Sequence, residues 1–492
     1  MLGSADERRD RSARSLSDRI RRMIPSPSMT QARLSSTQVP GPILDVLRRL
    51  QEAGHRAYVI GGATRELLSG ARPAPQDWDV GTSATPEEVL RLYPKGVATG
   101  ARFGTITVPT EAGPCEVTTF RVESEYKDAR HPDRVTFVRE LEEDLRRRDF
   151  TVNAMAWDPL ADRLVDPTGG IPDLEAGVLR AVGDPLTRFR EDGLRPIRAA
   201  RFAATLGFAL EEKTERALPD ARTEVGRVAA ERVQEELMKM LRAPEPSRGF
   251  EVLRRAGLLG VWLPEIEKTI AVPQNRYHAY DVYFHTLYTC DAAPAEKPVV
   301  RLAALFHDVG KPETRQERED GEATFYNHQF VGERMAREAM ERLRFSRDLT
   351  DRVAHLVRQH MFDYRPQWTD AAVRRFIRSV GVEAIADLFD LRIADNVGNG
   401  LKTGFPHYLE ELRGRVDATL EAEEALSIRD LEVDGSDVMA ALDLPPGPRV
   451  GKILDQLLEE VLENPSLNRR ERLLERIRQG FSIDTQGSRD LG

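Results

Sequence analysis

The chain of 492 residues carries 72 basic and 81 acidic side chains, for a formal net charge of −9, and 40% of its residues are hydrophobic. This length exceeds what one hydrophobic core usually serves, so we expect three or four folded units. The sequence excludes a membrane-spanning helix, because no apolar run approaches the roughly 20 residues that cross a bilayer, and its acidic balance excludes a uniformly basic nucleic-acid-binding protein.

The N-terminal segment, residues 1–38, is rich in arginine and serine and poor in large apolar residues. It lacks the apolar core of a secretory signal, so we expect a disordered tail. The two cysteines of the chain, Cys115 and Cys290, have no paired-ligand spacing. They predict neither a disulfide framework nor a thiolate zinc site, and they fit a reducing, cytoplasmic location.

Residues 39–167 alternate helical patterns with short β-rich runs, which predicts a small α/β domain. These runs are Ala57–Ile60, Gly104–Val108 and Glu116–Arg121. The rest of the chain is almost entirely helical in pattern. We therefore predict an α+β protein, with an α/β head followed by all-α segments. These segments are a neck at 168–265, a histidine-rich domain at 271–400 and a tail at 401–492.

The first β-rich run ends at a glycine pair, Gly61 and Gly62, where a helical pattern begins. Backbone amides at the start of a helix are free to bind phosphate, and the helix dipole favours negative charge there. Arg65, one turn into the helix, carries a guanidinium suited to a phosphate. A glycine pair alone is more often a tight turn, so the prediction of a phosphate site depends on the residues that follow.

Asp77 and Asp79 lie two apart in a segment with an extended pattern. Residues at this spacing point to one side of a strand, so both carboxylates can face one point. Mg²⁺ prefers oxygen ligands and keeps positions open for substrate phosphates. Two such ions can activate an attacking hydroxyl and steady a leaving pyrophosphate. Glu116, on a later strand, could reach the same ions, although a solvent-facing position is the simpler interpretation.

A basic turn lies close to the end of the α/β domain, in the run Arg147-Arg148-Asp149-Phe150-Thr151-Val152-Asn153-Ala154. We expect Arg148 to contact a triphosphate. Asp149 and Asn153 are expected at the sugar or as residues that orient the arginines. An exposed basic turn that leads into a strand is the alternative interpretation.

The order Gly-Gly-x-x-Arg, Asp-x-Asp and Arg-Arg-Asp-x-Thr-x-Asn-Ala resembles the family of class II tRNA nucleotidyltransferases and bacterial poly(A) polymerases. The resemblance covers most of the chain. It implies a polymerase-β-like mixed sheet in the head, Asp77 and Asp79 as catalytic Mg²⁺ ligands, CTP and ATP as substrates, and the 3′ end of tRNA as the RNA partner. In family members the helix after the glycine pair carries Arg-Asp, whereas this chain has Arg65-Glu66 there. Glutamate keeps the negative charge of the aspartate.

The helical region opens with a run of charges at a spacing of three residues: Asp192, Arg195, Arg198 and Arg201. Periodicity alone would make them the solvated face of an amphipathic helix that starts near Arg195. The resemblance instead implies that Asp192 and Arg195 select the incoming nucleotide and that Arg198 and Arg201 hold its triphosphate. Asp192 would accept from the exocyclic amine of cytosine or adenine, and Arg195 would donate to the ring nitrogen. Guanine and uracil would leave both charges unpaired. Family members usually carry proline or another residue where Gly193 stands.

Further segments resemble family elements with weaker patterns. Arg121–Leu141 resembles the flexible loop that helps the switch from C to A addition, and its length argues against an enzyme that adds only CC. Asp166–Leu174 resembles the hinge between head and neck, and Glu231–Leu237 resembles the neck helix that braces the base pocket. An ordinary turn and helix are the alternatives. The Pro445–Gly451 run is interpreted either as a backbone contact to tRNA phosphates or as the turn that starts a helix.

Most of the chain's nine histidines lie in the 271–400 domain. The predicted ligands of a second metal site, in superfamily order, are His285, His307, Asp308, His328 and Asp395. This order resembles the His-Asp metal phosphohydrolase superfamily, and such ligands suit Mn²⁺, Fe²⁺, Ni²⁺ or Zn²⁺. His355 and His360 are five residues apart, so at most one of them faces a given site. Expected substrates are 2′,3′-cyclic phosphates or 2′-phosphates at RNA ends.

The sequence thus predicts template-independent addition of C and A from CTP and ATP to the 3′ end of tRNA, in which the RNA hydroxyl attacks the α-phosphate and pyrophosphate leaves. A poly(A) polymerase or an enzyme that adds only the final A is the nearest alternative. A His-Asp phosphohydrolase with a non-catalytic RNA-binding head is an alternative of another class. A non-catalytic RNA-binding scaffold is disfavoured, because every catalytic position holds a competent residue.

Overall fold

The computed structural model describes residues 34–70, 75, 77–124, 134–319, 321–402, 406–422 and 426–481. Most of the predicted tail and the centre of the predicted flexible loop therefore lie outside the described residues. The chain forms two compact units. The first extends to Arg232 and includes Arg255–Leu258, and the second contains Val233–Arg254 and the chain from Leu259 onwards.

A seven-stranded mixed sheet forms the centre of the first unit, with strand order β3-β4-β5-β2-β1-β8-β9. Its strands are β1 (Ala57–Ile60), β2 (Trp78–Thr82), β3 (Val97–Gly100), β4 (Thr105–Thr110), β5 (Gly113–Thr119), β8 (Ala156–Asp158) and β9 (Arg163–Val165). A separate antiparallel ladder joins β6 (Arg121–Ser124) to β7 (Arg134–Phe137). β2 and β5 are parallel neighbours, whereas the other adjacent pairs of the sheet are antiparallel. The predicted mixed sheet is confirmed.

Strand β1 is buried on both faces, because its alternating side chains enter two hydrophobic clusters. Val59 packs with one cluster, which also contains residues of three helices. These helices are α1 (Gly41–Glu52), α2 (Gly62–Ser69) and α3 (Pro86–Leu92). Tyr58 and Ile60 belong to the opposite cluster, with Phe120 and Leu145. Trp78 and Val80 of β2 join the first cluster, so Asp79 between them points to the other face of the sheet.

Short helices complete the first unit: α4 (Leu141–Arg146), α5 (Gly170–Ala176), α6 (Pro185–Glu191), α7 (Arg195–Leu206), α8 (Glu212–Ala217) and α9 (Arg222–Gly226). A two-residue parallel ladder joins β10 (Val178–Leu179) to β11 (Ala209–Leu210). The unit continues past the predicted end of the head at residue 167, because α5 is bonded to the head: Thr151 Oγ1 donates to Asp173 Oδ2 at 2.6 Å. The neck helix α10 (Ala230–Leu241) begins where the unit ends.

The second unit is helical apart from a short antiparallel ladder of β12 (Gln316–Glu317) and β13 (Ala323–Thr324). Its first helices are α11 (Ser247–Arg255), α12 (Leu259–Trp262), α13 (Pro264–Glu267), α14 (Val282–Ala292), α15 (Pro298–Phe306), α16 (Lys311–Thr314), α17 (His328–Arg342) and α18 (Arg347–Gln359). Helices α19 (Asp370–Val380), α20 (Val382–Gly398), α21 (Tyr408–Glu421), α22 (Gly435–Leu442), α23 (Pro448–Glu463) and α24 (Arg470–Gly480) follow. Side chains of α22, α23 and α24 share a hydrophobic cluster.

The fold class is confirmed, with the qualification that the predicted all-α part holds the two short ladders named above. Helix α7 starts at Arg195, as its proline predicted, because proline is tolerated in the first turn of a helix. No helix in the described part of the chain combines the length and the apolar character needed to cross a membrane.

Candidate active site and metal centre

The glycine turn after β1 brings the first set of predicted residues together. Gly61 has φ of +67°, and a Cβ placed there would lie 3.3 Å from Arg148 Nη1 and 3.7 Å from Asp79 Oδ2. Residue types other than glycine are strained at this φ. The turn therefore requires glycine for its backbone conformation, and the aspartate and arginine side chains closely approach the same position. Gly62 is the first residue of α2, so the free backbone amides at the start of that helix lie next to this glycine turn.

Three carboxylates concentrate negative charge at this point. Asp79 and Glu116 are register partners on the parallel strands β2 and β5, so their side chains share one face of the sheet. Burial, then the charge of Glu116, and also that of Asp77, raise the pKa of Asp79 to about 6, against the opposing effect of Arg148. Asp77 is exposed immediately before β2. Glu116 therefore lies beside Asp79 rather than on a remote surface, and the charge of Asp77 contributes to the raised pKa of Asp79.

Arg148 is held in place by a carboxylate beneath it. Its Nε and Nη2 donate to Asp144 Oδ2 at 3.2 and 3.0 Å, which turns Nη1 toward Gly61. Arg147 donates to Asp144 Oδ1 at 2.7 Å. Burial would raise the pKa of Asp144, but the two arginines hold it below its ordinary value. Asp144 therefore stays ionised and fixes both guanidinium groups.

A chain of buried polar contacts links helix α2 to helix α7. Arg65 donates to Asn153 Oδ1, and Asn153 Nδ2 donates to Asp149 Oδ1 at 3.1 Å. Asp149 Oδ2 accepts from Arg198 at 2.8 and 2.6 Å. Burial would raise the pKa of Asp149, but Arg198 and Asn153 hold it well below its ordinary value. Asp149 and Asn153 are thus the arginine-orienting residues that the sequence allowed as one of two roles.

The residues predicted to read the base lie at the junction of α6 and α7. Asp192 follows the last residue of α6 rather than lying on the helix with the arginines, which corrects the expected single strip of charge. Arg195 is buried and donates to Glu191 Oε2 at 2.6 Å and to the carbonyl oxygens of Arg188 and Arg147 at 2.9 and 3.0 Å. Asp192 accepts from Arg232 of α10.

Gly193, between the two proposed base-reading residues, is pressed against the backbone of α9. A Cβ at this position would lie 2.3 Å from the carbonyl oxygen of Glu224 and 3.0 Å from the nitrogen of Val225. Real Cβ contacts of this length do not occur, so a side chain here requires a shift of backbone. This contact explains the departure from the family pattern at residue 193.

An open cavity of about 340 Å³ lies over these groups. Of the predicted residues, the cavity is lined by Asp79, Arg148, Asp149, Asp192, Arg195 and Arg198. Among the described residues that we predicted to bind the nucleotide, Gly61, Gly62, Arg65, Asn153 and Arg201 lie outside this lining. Arg65 is buried, and burial lowers its pKa to about 10. Arg201 stacks its guanidinium 3.5 Å from the ring centre of Phe202.

Sequence reasoning missed several residues of the cavity wall or treated them only as part of a longer run. They are Thr105, Thr118, Arg121, Arg147 and Arg232. Arg147 stood in the predicted basic run and Arg232 in the predicted neck helix, but neither had been given a role. The alternation of β4 and β5 is the signal that could have placed Thr105 and Thr118 beside Glu116 on one face of the sheet.

The second unit gathers the predicted His-Asp residues into one cluster, in which Asp395 is partly exposed and the others are buried. His285 Nε2 lies 3.2 Å from Asp395 Oδ1 and 3.3 Å from Asp308 Oδ2. Burial would lower the pKa of His285, but the hydrogen bonds to these two aspartates raise it to about 9. His307 and His328 lie 3.1 and 3.3 Å from oxygens of Asp308. The arrangement offers imidazole and carboxylate ligands to a cation.

The predicted ligand set omitted His360, which lies in the same cluster with its Nε2 3.1 Å from His328 Nε2. His355 points elsewhere and bonds the carbonyl oxygen of Val380 at 2.7 Å. The spacing of five residues predicted that His355 and His360 would not both face one site. In the structure, His360 is the one that faces the cluster. No sequence signal distinguished the two, because the choice depends on which face of α18 packs inward.

Family models match three successive parts of the chain. Residues 57–180 match the poly A polymerase head domain, residues 207–270 the probable RNA and SrmB-binding site of polymerase A, and residues 276–400 the HD domain. These three ranges follow one another along the chain without overlap.

Curated relatives align with most of the chain. It is 36% identical over 417 residues to the A-adding tRNA nucleotidyltransferase of Deinococcus radiodurans, covering 82% of this chain and 91% of that protein. It is 34% identical over 434 residues to the CCA-adding enzyme of Geobacillus stearothermophilus, covering 87% and 94%. With the CCA-adding enzyme of Lactobacillus helveticus it shares 47% identity over 209 residues, 42% of this chain, and there it spans about half, 52%, of the relative's length.

Solved structures give the same likeness. The crystal structure of the Bacillus stearothermophilus CCA-adding enzyme in complex with CTP aligns with a TM-score of 0.67 and 30% identity, covering 89% of this chain and 96% of that one. A Thermotoga maritima CCA-adding enzyme complexed with tRNA aligns with a TM-score of 0.51 at 20% identity, which speaks to the fold alone.

Proposed function

The chain belongs to the family of CCA-adding enzymes and A-adding tRNA nucleotidyltransferases, and we propose that it adds C and A from CTP and ATP to the 3′ end of tRNA. One observation carries this proposal. Asp79 and Glu116 lie on one face of the sheet, opposite a glycine turn that opens a helix and beside Arg148. This is the arrangement that nucleotidyl transfer requires: acidic metal ligands next to a phosphate site.

We assign the metal-binding role to Asp77 and Asp79, with Glu116 as a further carboxylate. Burial, followed by the charges of Glu116 and Asp77, raises the pKa of Asp79, and a divalent cation would offset both effects. Mg²⁺, the ion we propose, would activate the RNA 3′-hydroxyl and neutralise the departing pyrophosphate. The new bond joins the RNA 3′-oxygen to the α-phosphorus of CTP or ATP, and the bond from that phosphorus to the pyrophosphate oxygen breaks.

The remaining residues of the cavity are assigned to the nucleotide. Arg148 and Arg198 supply positive charge for the triphosphate, and Asp144 and Asp149 fix their orientation. Asp192 accepts from the exocyclic amine of the base, and Arg195 donates to its ring nitrogen. Cytosine and adenine share this pattern, so no nucleic-acid template is needed. Arg65, Asn153 and Arg201 are assigned to support these groups, because they lie outside the cavity lining.

The product ladder on tRNA tests the proposal. Full-length protein is incubated with Mg²⁺ and a tRNA transcript that ends at the discriminator base, with CTP, with ATP or with both. We expect two added nucleotides with CTP alone, and the complete CCA with both. A long ladder with ATP alone would indicate poly(A) synthesis, and the absence of any extension on all acceptors would overturn the proposal.

Addition of the final A alone is a second candidate, because the A-adding enzyme of Deinococcus radiodurans aligns with 82% of this chain at 36% identity. A transcript that already ends in CC separates the two. An A-adding enzyme extends only this transcript and uses only ATP. A CCA-adding enzyme also extends the shorter transcript when CTP is present.

For the His-Asp unit we propose a divalent metal site that hydrolyses phosphoesters at RNA ends. Its support is the cluster of His285, His307, Asp308, His328 and Asp395, whose ligand types suit Mn²⁺, Fe²⁺, Ni²⁺ or Zn²⁺. The Asp77→Ala variant tests whether the two activities are separate. It should lose nucleotide addition and keep hydrolysis of a 2′,3′-cyclic phosphate. We propose the cytoplasm as the compartment, supported by the unpaired, buried Cys115 and Cys290.

A further inference from the structure

Two threonines form part of the cavity wall beside the acidic residues of the first unit. Thr118 lies on β5, two residues after Glu116, and Thr105 is its register partner on β4. Side chains two apart on a strand share one face of the sheet, so both threonines stand on the face that carries Glu116 and Asp79. Both line the cavity of about 340 Å³. The cavity therefore continues along the sheet beyond the carboxylates.

The hydroxyl groups of these two threonines bond to each other. Thr105 Oγ1 and Thr118 Oγ1 are 3.0 Å apart, and within the described residues neither hydroxyl has another partner. Two hydroxyls that share a single hydrogen bond keep a hydrogen to donate and lone pairs to accept. Both side chains are partly exposed, so a ligand can reach these groups. The pair can donate to and accept from one ligand hydroxyl at the same time.

The order of the strands places the threonine pair and the phosphate site on opposite sides of the carboxylates. Across the site the sheet runs β4-β5-β2-β1. The glycine turn that follows β1 lies next to Arg148, whereas Thr105 lies on β4, three strands away. Asp79 and Glu116, on β2 and β5, lie between them. The acidic residues thus have a phosphate site on one side and hydroxyl groups on the other.

The geometry of the transfer reaction decides which substrate lies on each side. The oxygen that attacks phosphorus and the oxygen that leaves are in line, on opposite sides of the phosphorus. The leaving pyrophosphate belongs beside Arg148 and the glycine turn, where positive charge and helix amides bind phosphate. The RNA 3′ hydroxyl therefore approaches from the side of β5 and β4. The ribose that carries it brings a 2′ hydroxyl to the same side.

A guanidinium group lies on this side of the cavity as well. Arg121 lines the cavity, and its Nη1 donates to the carbonyl oxygen of Phe103, two residues before Thr105. The carbonyl oxygen of Arg121 accepts from Arg147 Nε at 2.8 Å, and that of Arg147 accepts from Arg195 Nη2 at 3.0 Å. These bonds link the threonine side of the cavity to a residue proposed to read the incoming base. The last nucleotide of an RNA acceptor needs such a place, because it lies next to the incoming nucleotide and its phosphate is negatively charged.

We propose that Thr105, Thr118 and Arg121 bind the last nucleotide of the RNA acceptor. The threonine hydroxyls bind its 2′ hydroxyl, and the guanidinium of Arg121 binds the phosphate on its 5′ side. A 2′ hydroxyl both donates and accepts, which matches the free groups of the threonine pair, and it is the group by which a protein tells RNA from DNA. This assignment rests on the proposed function, because it names the acceptor site of that reaction.

Two acceptors that differ by a single oxygen atom test this assignment. Full-length protein with Mg²⁺ and ATP is given a tRNA that ends in CC, with either ribose or 2′-deoxyribose in the terminal nucleotide. Both acceptors keep the 3′ hydroxyl that reacts. The loss of a hydrogen bond between uncharged groups corresponds to roughly 2- to 10-fold, so kcat/KM for the deoxyribose acceptor should be lower by such a factor. KM for ATP should be the same with either acceptor.

Threonine variants locate the recognition of the 2′ hydroxyl. Valine keeps the branched Cβ and the preference for a strand but has no hydroxyl. The double variant Thr105→Val, Thr118→Val should extend both acceptors with the same kcat/KM, through a higher KM for the ribose acceptor and an unchanged KM for ATP. Thr118→Ser retains a hydroxyl and should keep the preference for ribose. Thr110→Val is the matched control: it loses a bond of 2.6 Å to the carbonyl oxygen of Gly113 on the same strand pair, but it lies outside the cavity lining and should keep the parent's preference.

An arginine variant separates binding of the phosphate from binding of the hydroxyl. Arg121→Gln should raise KM for the ribose and deoxyribose acceptors by the same factor and leave their ratio as in the parent protein. The increase should shrink at higher salt, because contacts to phosphate weaken as the salt concentration rises. An unchanged KM for both acceptors would remove Arg121 from the acceptor site.

The outcomes keep this assignment apart from the proposed function. A parent protein that extends both acceptors equally well, or a double variant that still prefers ribose, would overturn the role of the threonines. If the double variant instead changes the preference for ATP over dATP, the threonines bind the incoming sugar and the assignment to the acceptor is wrong. A parent protein that extends neither acceptor would refute the proposed nucleotide addition itself.

Discussion

Arg232 holds Asp192 in a two-pronged ion pair, with Nη1 3.1 Å from Oδ1 and Nη2 2.8 Å from Oδ2. The two residues are 40 positions apart, one after the last turn of α6 and one in the first turn of α10. The amide of Leu194 also donates to Asp192 Oδ1 at 3.0 Å. The carboxylate proposed to read the base is therefore oriented from two directions before a nucleotide binds.

We predict that Arg232→Ala raises KM for CTP and ATP and weakens discrimination against UTP. The variant leaves Asp192 without its fixed orientation, and hydrogen bonds to charged groups contribute about 1.5–3 kcal/mol each, so a loss of roughly 10-fold or more in kcat/KM is expected. Arg232→Lys keeps the positive charge but cannot make two hydrogen bonds to the carboxylate, so its kcat/KM should lie between those of the parent protein and Arg232→Ala. The measurement is kcat/KM for each nucleotide on one tRNA acceptor.

Arg227→Ala is the control for Arg232→Ala, because this arginine is exposed in the same unit and lies outside the cavity lining. It should leave kcat/KM for CTP, ATP and UTP within about two-fold, as for surface substitutions in general. If Arg232→Ala leaves the ratio of CTP to UTP unchanged, the ion pair does not position the base-reading carboxylate.

Gly61→Ala should impair both stability and nucleotide addition. The backbone at Gly61, with φ of +67° and ψ of −129°, lies in a region that costs an alanine about 1–3 kcal/mol, and the added Cβ would meet Arg148 Nη1 at 3.3 Å. Gly54→Ala is a matched control, because its φ is +86° but nothing lies within 4 Å of the added Cβ. Both variants should have a lower Tm than the parent protein. At a temperature where both remain folded, only Gly61→Ala should have a lower kcat/KM. Equal activity in the two variants would contradict the placement of Arg148 at the glycine turn.

Asp79→Asn should strongly reduce nucleotide addition while stabilising the metal-free head. Because burial, then Glu116, raises the folded-state pKa of Asp79 from 3.8 to about 6, the folded protein binds the proton more tightly than the unfolded chain. The free energy of unfolding therefore falls as pH rises from about 4 to about 6. The asparagine variant escapes this loss, so we expect a gain of up to about 3 kcal/mol above pH 6 and none below pH 4.

Thermal unfolding with a chelator, at several pH values, measures the stability of Asp79→Asn, and the product ladder measures its activity. Addition should fall on the order of 1000-fold, as when other preorganised charges are removed from active sites. A variant that is less stable than the parent protein at pH 7 would show that Asp79 is stabilised by its surroundings. That result would remove the electrostatic case for a cation at this point.

Asp149→Asn should show the opposite pH dependence. The pKa of Asp149 is held below its ordinary value by Arg198 and Asn153 despite burial, so its contribution to stability is present above about pH 4 and is lost as pH falls further. Removing one partner of a buried ion pair typically costs about 3–5 kcal/mol. Urea unfolding at pH 7 should reveal a deficit of that order, which shrinks toward pH 3.

The exposed Asp45 on α1 provides the comparison for Asp149, since its partner Arg48 lies one turn away on the same surface. Asp45→Asn should change the free energy of unfolding by less than about 1 kcal/mol at either pH. A deficit in Asp149→Asn that stays constant with pH would indicate a packing effect instead of the loss of an ion pair.

The parts of the site that sequence reasoning predicted are those in which chemistry and spacing are local. Gly61, Asp79 and Arg148 belong to three short motifs whose order along the chain indicated one phosphate-and-metal site. The structure places them side by side, as the prediction required. The mixed sheet and helical remainder were predictable for the same reason, because alternation and helical periodicity are read within a few residues.

The parts that were missed, or left open as Glu116 was, depend on pairing between distant segments. Glu116 meets Asp79 only through the register of β2 and β5, and Arg232 meets Asp192 only through the approach of α10. Arg65 has a side chain that suits a phosphate, but the packing of α2 buries it against Asn153. Its sequence motif predicted a contact with phosphate, and the structure shows its guanidinium bonded to Asn153.

The close contact at Gly193 has a consequence for how this protein can change over evolution. Because a Cβ at this position would lie 2.3 Å from the carbonyl oxygen of Glu224, residue 193 cannot acquire a side chain unless the backbone at 222–226 moves as well. The two segments must drift together. Relatives with a larger residue at the position equivalent to Gly193 should therefore have the helix equivalent to α9 displaced. Substitutions at residue 193 and in α9 are expected to occur together.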